Sequence, residues 1–406
     1  MSSNNRRRHA RSPAAGPLDD DDLLCEILLR LPPHPSSLPR ASAVCKRWRR
    51  LVSDPDFSRR FRLRHRRNPP LLGFFERDHG IYFLHTPEAT KLSFLPILEA
   101  PNRVPPGRFS ISGVGDRFWS LDCRHGLVLI HLREILQVLV WDPVTGDQHR
   151  IALPAPFDTM DTLINGAVLG AAGDIQHFQV VLAAEDGDDE QHRRAVACVY
   201  SSQTGLWGNI ISAPLPYQAN GCLDPTVLTM DDAVLAGDSL YWVLWGNLIG
   251  ILEFDLVKQS LDVIRVPVDM CGEDTRIKII RAEAGGLGVL LRSDSDCTLK
   301  LWKRKTDCDG VTSWELRRTI EVDKLLSLNS EDKELIEIVG FAEDNNFVLL
   351  WTYIGLFMIH LESLKFKKLI ESKMGTIPRY HPFESVYAEG TCIGGGHDGA
   401  ELLLNT

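Results

Sequence analysis

The organisation of this chain is set by residues 17–57, PLDDDDLLCEILLRLPPHPSSLPRASAVCKRWRRLVSDPDF. The aspartates at 19–22 offer an N-cap and place negative charge where a helix begins, which is favourable. The apolar residues that follow share one helical face, at Leu23, Leu24, Ile27, Leu28 and Leu31. Pro32 and Pro33 end this predicted helix, because neither residue has an N–H group to donate.

A second helical stretch is predicted to begin near Ser36 or Ser37, with Pro39 in its first turn. Its apolar face is formed by Ala41, Val44, Cys45, Trp48, Leu51 and Val52. About 40 residues are too few for a stable domain, and these helices carry more large apolar side chains than so small a unit can bury. We therefore expect the segment to complete its core on another protein.

The segment resembles the F-box, in the form that is common in large plant F-box families. The matching residues are Leu23-Leu24-x-x-Ile27-Leu28-x-x-Leu31-Pro32 and Val44-Cys45-Lys46-Arg47-Trp48-Arg49-x-Leu51-Val52-x-Asp54-Pro55-x-Phe57. The order Pro17-Leu18 and the additional Pro-His-Pro at 33–35 depart from the usual F-box pattern. The resemblance implies a small, three-helix, all-α domain that binds a Skp-type adaptor, which links F-box proteins to a cullin ubiquitin ligase.

Carried over onto this sequence, the resemblance implies ten adaptor-binding residues. They are Leu23, Leu24, Ile27, Leu28, Leu31, Pro32, Leu38, Val44, Cys45 and Trp48. Some of them must instead form the small internal core, and the sequence alone does not separate the two groups. Fully burying one such side chain contributes about 1.5–3 kcal/mol, so a few anchors can supply the affinity. Trp48 is the best single candidate for such an anchor.

Charge divides the chain at the end of this segment. Residues 1–70 contain 16 Lys and Arg and 7 Asp and Glu, a balance of +9, whereas the remainder contains 29 and 47, a balance of −18. A basic region can indicate nucleic-acid binding, but the aromatic residues among these arginines do not form a pattern that suggests base stacking. We expect a disordered basic tail at 1–16, the F-box at 17–60 and a basic linker or helix extension at 61–71.

The remaining features predict a protein that acts inside the cell, in the nucleus, the cytoplasm or both. The N-terminus is polar, without a secretory signal, and the longest apolar runs are too short and interrupted to span a membrane. Nine cysteines without a CxxC pair fit a reducing compartment and neither a disulfide scaffold nor a metal site. No metal, cofactor or membrane partner is predicted.

From about residue 72 the apolar period becomes that of β-strands. Strand-like runs alternate with turn signals, such as DPVTG at 142–146 and Gly246-Asn247. Six units recur, at 72–98, 121–154, 165–213, 233–267, 285–320 and 338–370, and a strand at 385–390 could close a ring. We therefore predict a large all-β domain at 72–390, a six- or seven-bladed β-propeller, and a flexible tail at 391–406. An irregular pair of β-sandwiches is the alternative.

This domain resembles the β-propeller-like domain that follows the F-box in many plant F-box proteins. Two stretches carry the resemblance, Cys123-Arg124-His125-Gly126-Leu127-Val128-Leu129 and Trp141-Asp142-Pro143-x-Thr145-Gly146. In physical terms, Gly126 permits close backbone packing, and the second stretch sets a hairpin turn. The resemblance implies a surface that recruits a target protein.

No catalytic motif is found in the sequence, because a phosphate-binding loop, GxSxG and HExxH are all absent. We interpret the chain as a non-catalytic substrate-recognition subunit of a Skp–cullin–F-box ubiquitin ligase, which recruits an unidentified target protein. Three alternatives stay open: an F-box scaffold that acts outside a ligase, a nucleic-acid-associated regulator that uses the basic first 70 residues, and a propeller enzyme with a vestigial F-box.

Overall fold

A small helical region precedes a ring of β-sheets in the computed structural model of this chain. The structure describes residues 18, 20–77, 92–105, 109, 111, 118–170, 177–187, 193–216, 226–246, 249–267, 270, 275–293, 297–329, 335–371 and 377–387. The predicted tails at 1–16 and 391–406 therefore lie outside the described residues. Within the described part of the chain, no helix is long and apolar enough to cross a membrane.

The helical region contains four helices, α1 (Asp21–Leu28), α2 (Ser37–Ser42), α3 (Lys46–Val52) and α4 (Pro55–His65). The sequence predicted three. The fourth helix begins because the Asp54 side chain accepts the N–H groups of Asp56 and Phe57, while Pro55 fits the first helical position. Asp20 caps α1 in the same way, by accepting from Asp22 and Leu23.

One apolar core holds the four helices together. It consists of Leu24, Leu28, Leu29, Leu38, Ala41, Val52, Phe57, Phe61 and Val386. The last of these residues comes from the C-terminal end of the β-domain, so the helical region buries its core partly on the same chain. The sequence predicted that the helices would complete their core on another protein, but the β-domain supplies part of that apolar surface.

Twenty-five strands in the described residues form six antiparallel sheets, the blades of a propeller. Blade 1 contains β1 (Leu71–Arg77), β2 (Ser93–Pro96) and β25 (Arg379–Glu384); blade 2 contains β3 (Trp119–Arg124), β4 (Leu127–Leu132), β5 (Gln137–Trp141) and β6 (Gln148–Ala152); blade 3 contains β7 (Ile164–Gly170), β8 (Phe178–Asp186), β9 (Arg194–Ser201), β10 (Leu206–Trp207) and β11 (Ile211–Pro214). The prediction of a propeller is confirmed, with six blades.

The other three blades follow in chain order. Blade 4 contains β12 (Val227–Leu228), β13 (Val234–Ala236), β14 (Ser239–Trp245), β15 (Gly250–Asp255) and β16 (Ser260–Arg265); blade 5 contains β17 (Thr275–Arg281), β18 (Leu287–Ser293), β19 (Thr298–Thr306) and β20 (Thr312–Glu321), and α5 (Val322–Leu326) follows it; blade 6 contains β21 (Ile336–Ala342), β22 (Phe347–Thr352), β23 (Gly355–His360) and β24 (Phe366–Glu371). The predicted fifth unit began at 285 and so missed β17, whose sequence TRIKIIR alternates basic and apolar residues.

The ring is closed by pairing the last strand with the first. β25 runs antiparallel to β1, and Phe74 lies opposite Pro382. The predicted closing strand at 385–390 is wrong in position, because residues 385–387 follow β25 and are not in a strand; residues 388–390 lie outside the described residues. The actual closing strand, β25, was missed because Pro382 is unusual within a strand. A proline is tolerated there because β25 lies at the inner edge of its blade.

Apolar clusters between neighbouring blades hold the ring. One of them joins blades 2 and 3 through Leu129, Val138, Val168 and Val180, and similar clusters lie between the other adjacent pairs. Each blade is therefore stabilised by both neighbours, which is the packing expected of radially arranged sheets.

Candidate functional site

The ten residues predicted to bind an adaptor divide into two groups in the structure. Leu24, Leu28 and Leu38 are almost fully buried in the helical core. Leu23, Ile27 and Val44 remain 50%, 41% and 62% exposed. Of the remaining four, Pro32 and Cys45 are exposed, whereas Leu31 and Trp48 are half-buried against the core. The structure thus separates core residues from surface residues, which the sequence alone did not do.

Helical geometry explains the division within α1. Leu24 and Leu28 are four residues apart and point into the core, while Leu23 and Ile27 form a parallel stripe on the outer face. We call Leu23, Ile27 and Val44 the apolar stripe. Several exposed large apolar side chains on a small helical region are typical of a protein-binding surface.

Val44 is exposed because the chain breaks between α2 and α3. Cys45 has an extended backbone and precedes the first residue of α3, so residues 43–45 lie in a turn and are exposed. The sequence predicted one helical face through Ala41, Val44 and Trp48. Trp48, the predicted best anchor, packs partly against the helical core and offers less free surface than Val44.

Ion pairs border the apolar stripe. Arg47 Nε lies 2.7 Å from Asp21 Oδ1, and Arg60 Nη2 lies 2.6 Å from Glu26 Oε1. Arg47 also donates to the Leu18 carbonyl oxygen at 2.6 Å. These pairs hold α3 and α4 against α1. The same arginines are therefore engaged with carboxylates, whereas arginines of a nucleic-acid interface contact phosphates. Exposed pairs of this kind contribute up to about 1 kcal/mol each.

The helical region is joined to the propeller by several specific contacts. Val386 completes its core, and Ser36 donates from Oγ to Asn102 Oδ1 at 2.7 Å. Arg62 in α4 lies 3.9 Å from the Asp142 carboxylate. We call this contact region the joint.

Glycines allow the close approach at the joint. A Cβ atom on Gly170 would lie 2.4 Å from Arg66 Nη2, and one on Gly126 would lie 2.8 Å from Ser385 Oγ. Gly126 also has a positive φ of 79°, which favours glycine. Gly126 and Asp142 belong to the two stretches that carry the resemblance to plant propellers. The second stretch therefore serves in part to hold α4 against the propeller, through Asp142 and Arg62, a role that sequence reasoning missed.

A small cavity lies inside the joint. It has a volume of about 70 Å³ and is lined by Arg62, Arg66, His125, Asp142 and Glu384 among others. Pockets for drug-sized ligands typically occupy about 300–1,000 Å³. The cavity is therefore suited to a few water molecules.

The central channel holds a network of buried charges. Arg124 lies 2.8 Å from the Asp122 carboxylate and 2.6 Å from that of Glu343, which connects blade 2 to blade 6. Asp231 of blade 4 pairs with Lys278 of blade 5 and with Arg379 of blade 1. This network was not predicted from the sequence, because most of its pairs join residues that are far apart along the chain. The pairs link blades 1, 2, 4, 5 and 6 across the channel.

Burial shifts the pKa values of several titratable groups in blades 1 and 2. Burial raises the pKa of Asp122 and of Glu384 to about 7, even though Arg124 opposes the shift at Asp122. Burial lowers the pKa of His125 to about 3 and that of His131 to about 4. Raised carboxyl pKa values favour folding at low pH, and this contribution is lost as pH rises towards 7. Lowered histidine pKa values disfavour folding once pH falls below about 6.5.

Ser120, His381 and Asp232 have the distances of a catalytic triad. Ser120 Oγ lies 2.9 Å from His381 Nε2, and His381 Nδ1 lies 3.2 Å from Asp232 Oδ1. However, Ser120 and His381 are each 1% exposed, and neither lines the adjacent channel cavity of about 30 Å³. A substrate cannot reach the hydroxyl in this arrangement. Among the described residues, no group of His, Cys, Asp and Glu side chains could hold a metal ion.

Family models match both parts of the chain. The F-box domain model matches residues 20–60, and the model described as F-box protein AT5G49610-like, beta-propeller, matches residues 119–388. The chain belongs to this family of F-box propeller proteins. The four helices are its F-box, and the ten residues discussed above lie within that match.

A curated relative supports the same assignment. F-box protein At5g03970 of Arabidopsis thaliana is 26% identical over 267 residues, which cover 62% of this chain and 58% of the relative's own length. The similarity is consistent with a plant F-box protein, although the match spans less than two thirds of that relative.

Two solved structures are distant matches. The extracellular domain of the putative one component system BT4673 from B. thetaiotaomicron is 12% identical, with a TM-score of 0.37, and the match covers 74% of this chain and 36% of that one. The WD40 domain of SCAP from fission yeast is 9% identical, with a TM-score of 0.28 over 77% of this chain and 94% of that one. Neither match contributes to the assignment.

Proposed function

We propose that this protein is the substrate-recognition subunit of a Skp–cullin–F-box ubiquitin ligase. In this proposal, a Skp-type adaptor covers the apolar stripe, and the propeller recruits the target protein. The observation that carries the proposal is the exposure of Leu23, Ile27 and Val44 on an F-box whose core leucines, such as Leu24, Leu28 and Leu38, are buried. Covering this stripe would supply affinity through a few anchors, as in other protein interfaces.

The proposed mechanism is proximity. The adaptor and cullin would hold a ubiquitin-charged conjugating enzyme near the recruited target, which raises the effective concentration of the target's amino groups. The joint supports this role, because Val386, Asn102 and Asp142 fix the F-box to the propeller. In this proposal the chain is non-catalytic, and the covalent chemistry belongs to other subunits.

Reconstitution tests the proposal in two steps. The full chain is first titrated with a purified Skp-type adaptor, and the complex is then combined with a cullin, a conjugating enzyme and ubiquitin. We expect adaptor binding and adaptor-dependent ubiquitin transfer to the bound target or to the chain itself. Binding without transfer would favour a scaffold outside a ligase, and no binding would refute the F-box role.

A hydrolase is the second candidate function, because the distances among Ser120, His381 and Asp232 favour it. Burial of the serine opposes it, because a nucleophile must reach its substrate. A fluorophosphonate probe separates the two candidates. We expect the full chain to remain unlabelled, whereas labelling that is lost in Ser120→Ala would establish a reactive serine.

We also propose that the protein acts inside the cell, in the nucleus, the cytoplasm or both. A cullin ligase partner requires such a location, and nine cysteines without a CxxC pair fit a reducing compartment. Imaging of the tagged full chain tests this proposal, and a secreted protein would contradict it.

A further inference from the structure

The F-box occupies one face of the propeller ring and leaves the other uncovered by it. Its contacts include the β3–β4 turn, the β5–β6 turn, the end of β7 and the segments after β2 and β25. Because antiparallel neighbours alternate in direction, the β4–β5 turn lies on the opposite face. β4 contains six residues, so the two faces lie about 20 Å apart at ~3.3 Å per residue.

Exposed apolar side chains gather on this opposite face between blades 2 and 3. Ile135, in the β4–β5 turn, is 51% exposed, and Met160, between β6 and β7, is 49% exposed. Arg133 connects the two segments, because its Nε donates to the Met160 carbonyl oxygen at 2.9 Å. The same guanidinium group lies over the Trp119 ring, 5.6 Å from its centroid. We call Trp119, Ile135 and Met160 the anchor patch.

The other strongly exposed apolar residues are arranged differently. Val257, Leu206 and Val311 are 74%, 68% and 61% exposed, but each lies in or beside a separate hairpin turn on the F-box face. Among the described residues, Tyr353, 50% exposed, lies alone in the β22–β23 turn of blade 6. Single exposed apolar residues are normal on protein surfaces. The anchor patch is distinct because an arginine holds residues from three segments together, and tryptophan, arginine and methionine are enriched in protein interfaces.

Negative charge surrounds the anchor patch. Glu134, Asp158 and Asp161 are exposed in the same two segments, next to Ile135 and Met160. Arg133 is the cation of these segments, and it is half-buried against Trp119. The local balance of charge is therefore −2, in line with the balance of −18 beyond residue 70. Complementary charge steers partners and excludes those of like sign.

We propose that the anchor patch is where the target protein docks, through a segment that bears lysine or arginine residues around one large apolar side chain. The apolar side chain packs against Trp119, Ile135 and Met160, and the basic residues face Glu134, Asp158 and Asp161. This inference rests on the proposed function for its biological meaning. Docking on this face leaves the F-box free to bind its adaptor at the same time.

Selection from a random dodecapeptide library tests the inference. The full chain is the bait, and binding of the selected peptides is measured by fluorescence anisotropy. We expect selected peptides with a net positive charge and an aromatic or large aliphatic residue. Met160→Ser is expected to weaken their binding about fivefold, through loss of part of a buried side chain. Asp158→Lys combined with Asp161→Lys is expected to weaken it about tenfold or more, and less so at high salt.

Matched variants on the F-box face serve as controls. Val257→Ser and Glu362→Lys change exposed residues in β-turns of that face and should leave peptide affinity unchanged. The inference is overturned if no peptide is selected, if the peptides are acidic or lack an apolar anchor, or if the patch variants bind as tightly as the wild type. Adaptor binding, measured separately on the same preparations, reports on the proposed function independently of these outcomes.

Discussion

Ile27→Asp should weaken adaptor binding at least ~100-fold and leave the protein folded. Ile27 retains 41% of its surface exposed, so roughly 1 kcal/mol of the ~1.5–3 kcal/mol available from burying it remains for a partner. A carboxylate in that position would add a desolvation cost of several kcal/mol, because nothing apolar can compensate its charge. A total loss of at least about 3 kcal/mol weakens the dissociation constant ~150-fold.

The folded state should tolerate the same change. Position 27 is exposed, so the change costs α1 only two small effects. Aspartate has a lower helix propensity than isoleucine, and its negative charge is unfavourable near the C-terminus of the helix; together these cost about 1–1.5 kcal/mol. Leu28→Asp, one residue further, would place a carboxylate in the buried core and unfold the F-box.

Isothermal titration with a purified Skp-type adaptor measures the effect, and thermal unfolding monitors the fold. Ile27→Ala should weaken binding only about fivefold, since it loses the remaining apolar burial without adding charge. Val257→Asp, at an exposed site on the propeller, is the control for added charge. Adaptor affinity within about threefold of wild type for a folded Ile27→Asp chain would refute the role of the apolar stripe.

Four further outcomes follow from the structure. Val386→Asp should detach the F-box from the propeller, because the buried Val386 completes the F-box core; faster proteolysis near residues 66–70 would show this, and unchanged cleavage would contradict it. Arg124→Met should lower the free energy of unfolding by about 3–5 kcal/mol, measured with denaturant, because it leaves Asp122 and Glu343 without their cation in the channel. A loss below about 1 kcal/mol would contradict the ion network. Glu384→Gln removes a carboxyl whose pKa is raised by burial to about 7, so the free energy of unfolding of the variant relative to wild type should rise between about pH 5 and 7. A difference in unfolding free energy that is constant across this range would refute the shift in pKa. Ser120→Ala should lower stability by about 1 kcal/mol through loss of its hydrogen bond to His381, without changing the expected lack of fluorophosphonate labelling.

Much of the architecture was predictable because it rests on local patterns. Asp20 and Asp54 are helix caps that can be recognised from neighbouring residues, and the hairpin turn at 142–146 forms as expected, with Asp142 accepting the Val144 N–H group at 2.8 Å. Strand-like repeats predicted the blades for the same reason. β17 and β25 were missed because basic residues and Pro382 interrupt their apolar alternation.

The candidate site was only partly predictable, because burial depends on distant residues. Leu23 and Leu24 have the same side chain and adjacent positions, yet only Leu24 faces the core that Val386 completes. The channel network and the anchor patch are likewise assembled from separate segments. Arg133 and Met160, for example, are 27 residues apart in sequence, and no local signal brings them together.

Hydrogen–deuterium exchange of the full chain, with and without a purified Skp-type adaptor, tests the central claim most directly. We predict that the adaptor slows exchange in α1 and α3, within residues 21–52, and leaves the strands of blades 3 to 6 unchanged. No change in the F-box helices, or protection confined to the propeller, would contradict the role of this F-box as the adaptor-binding surface.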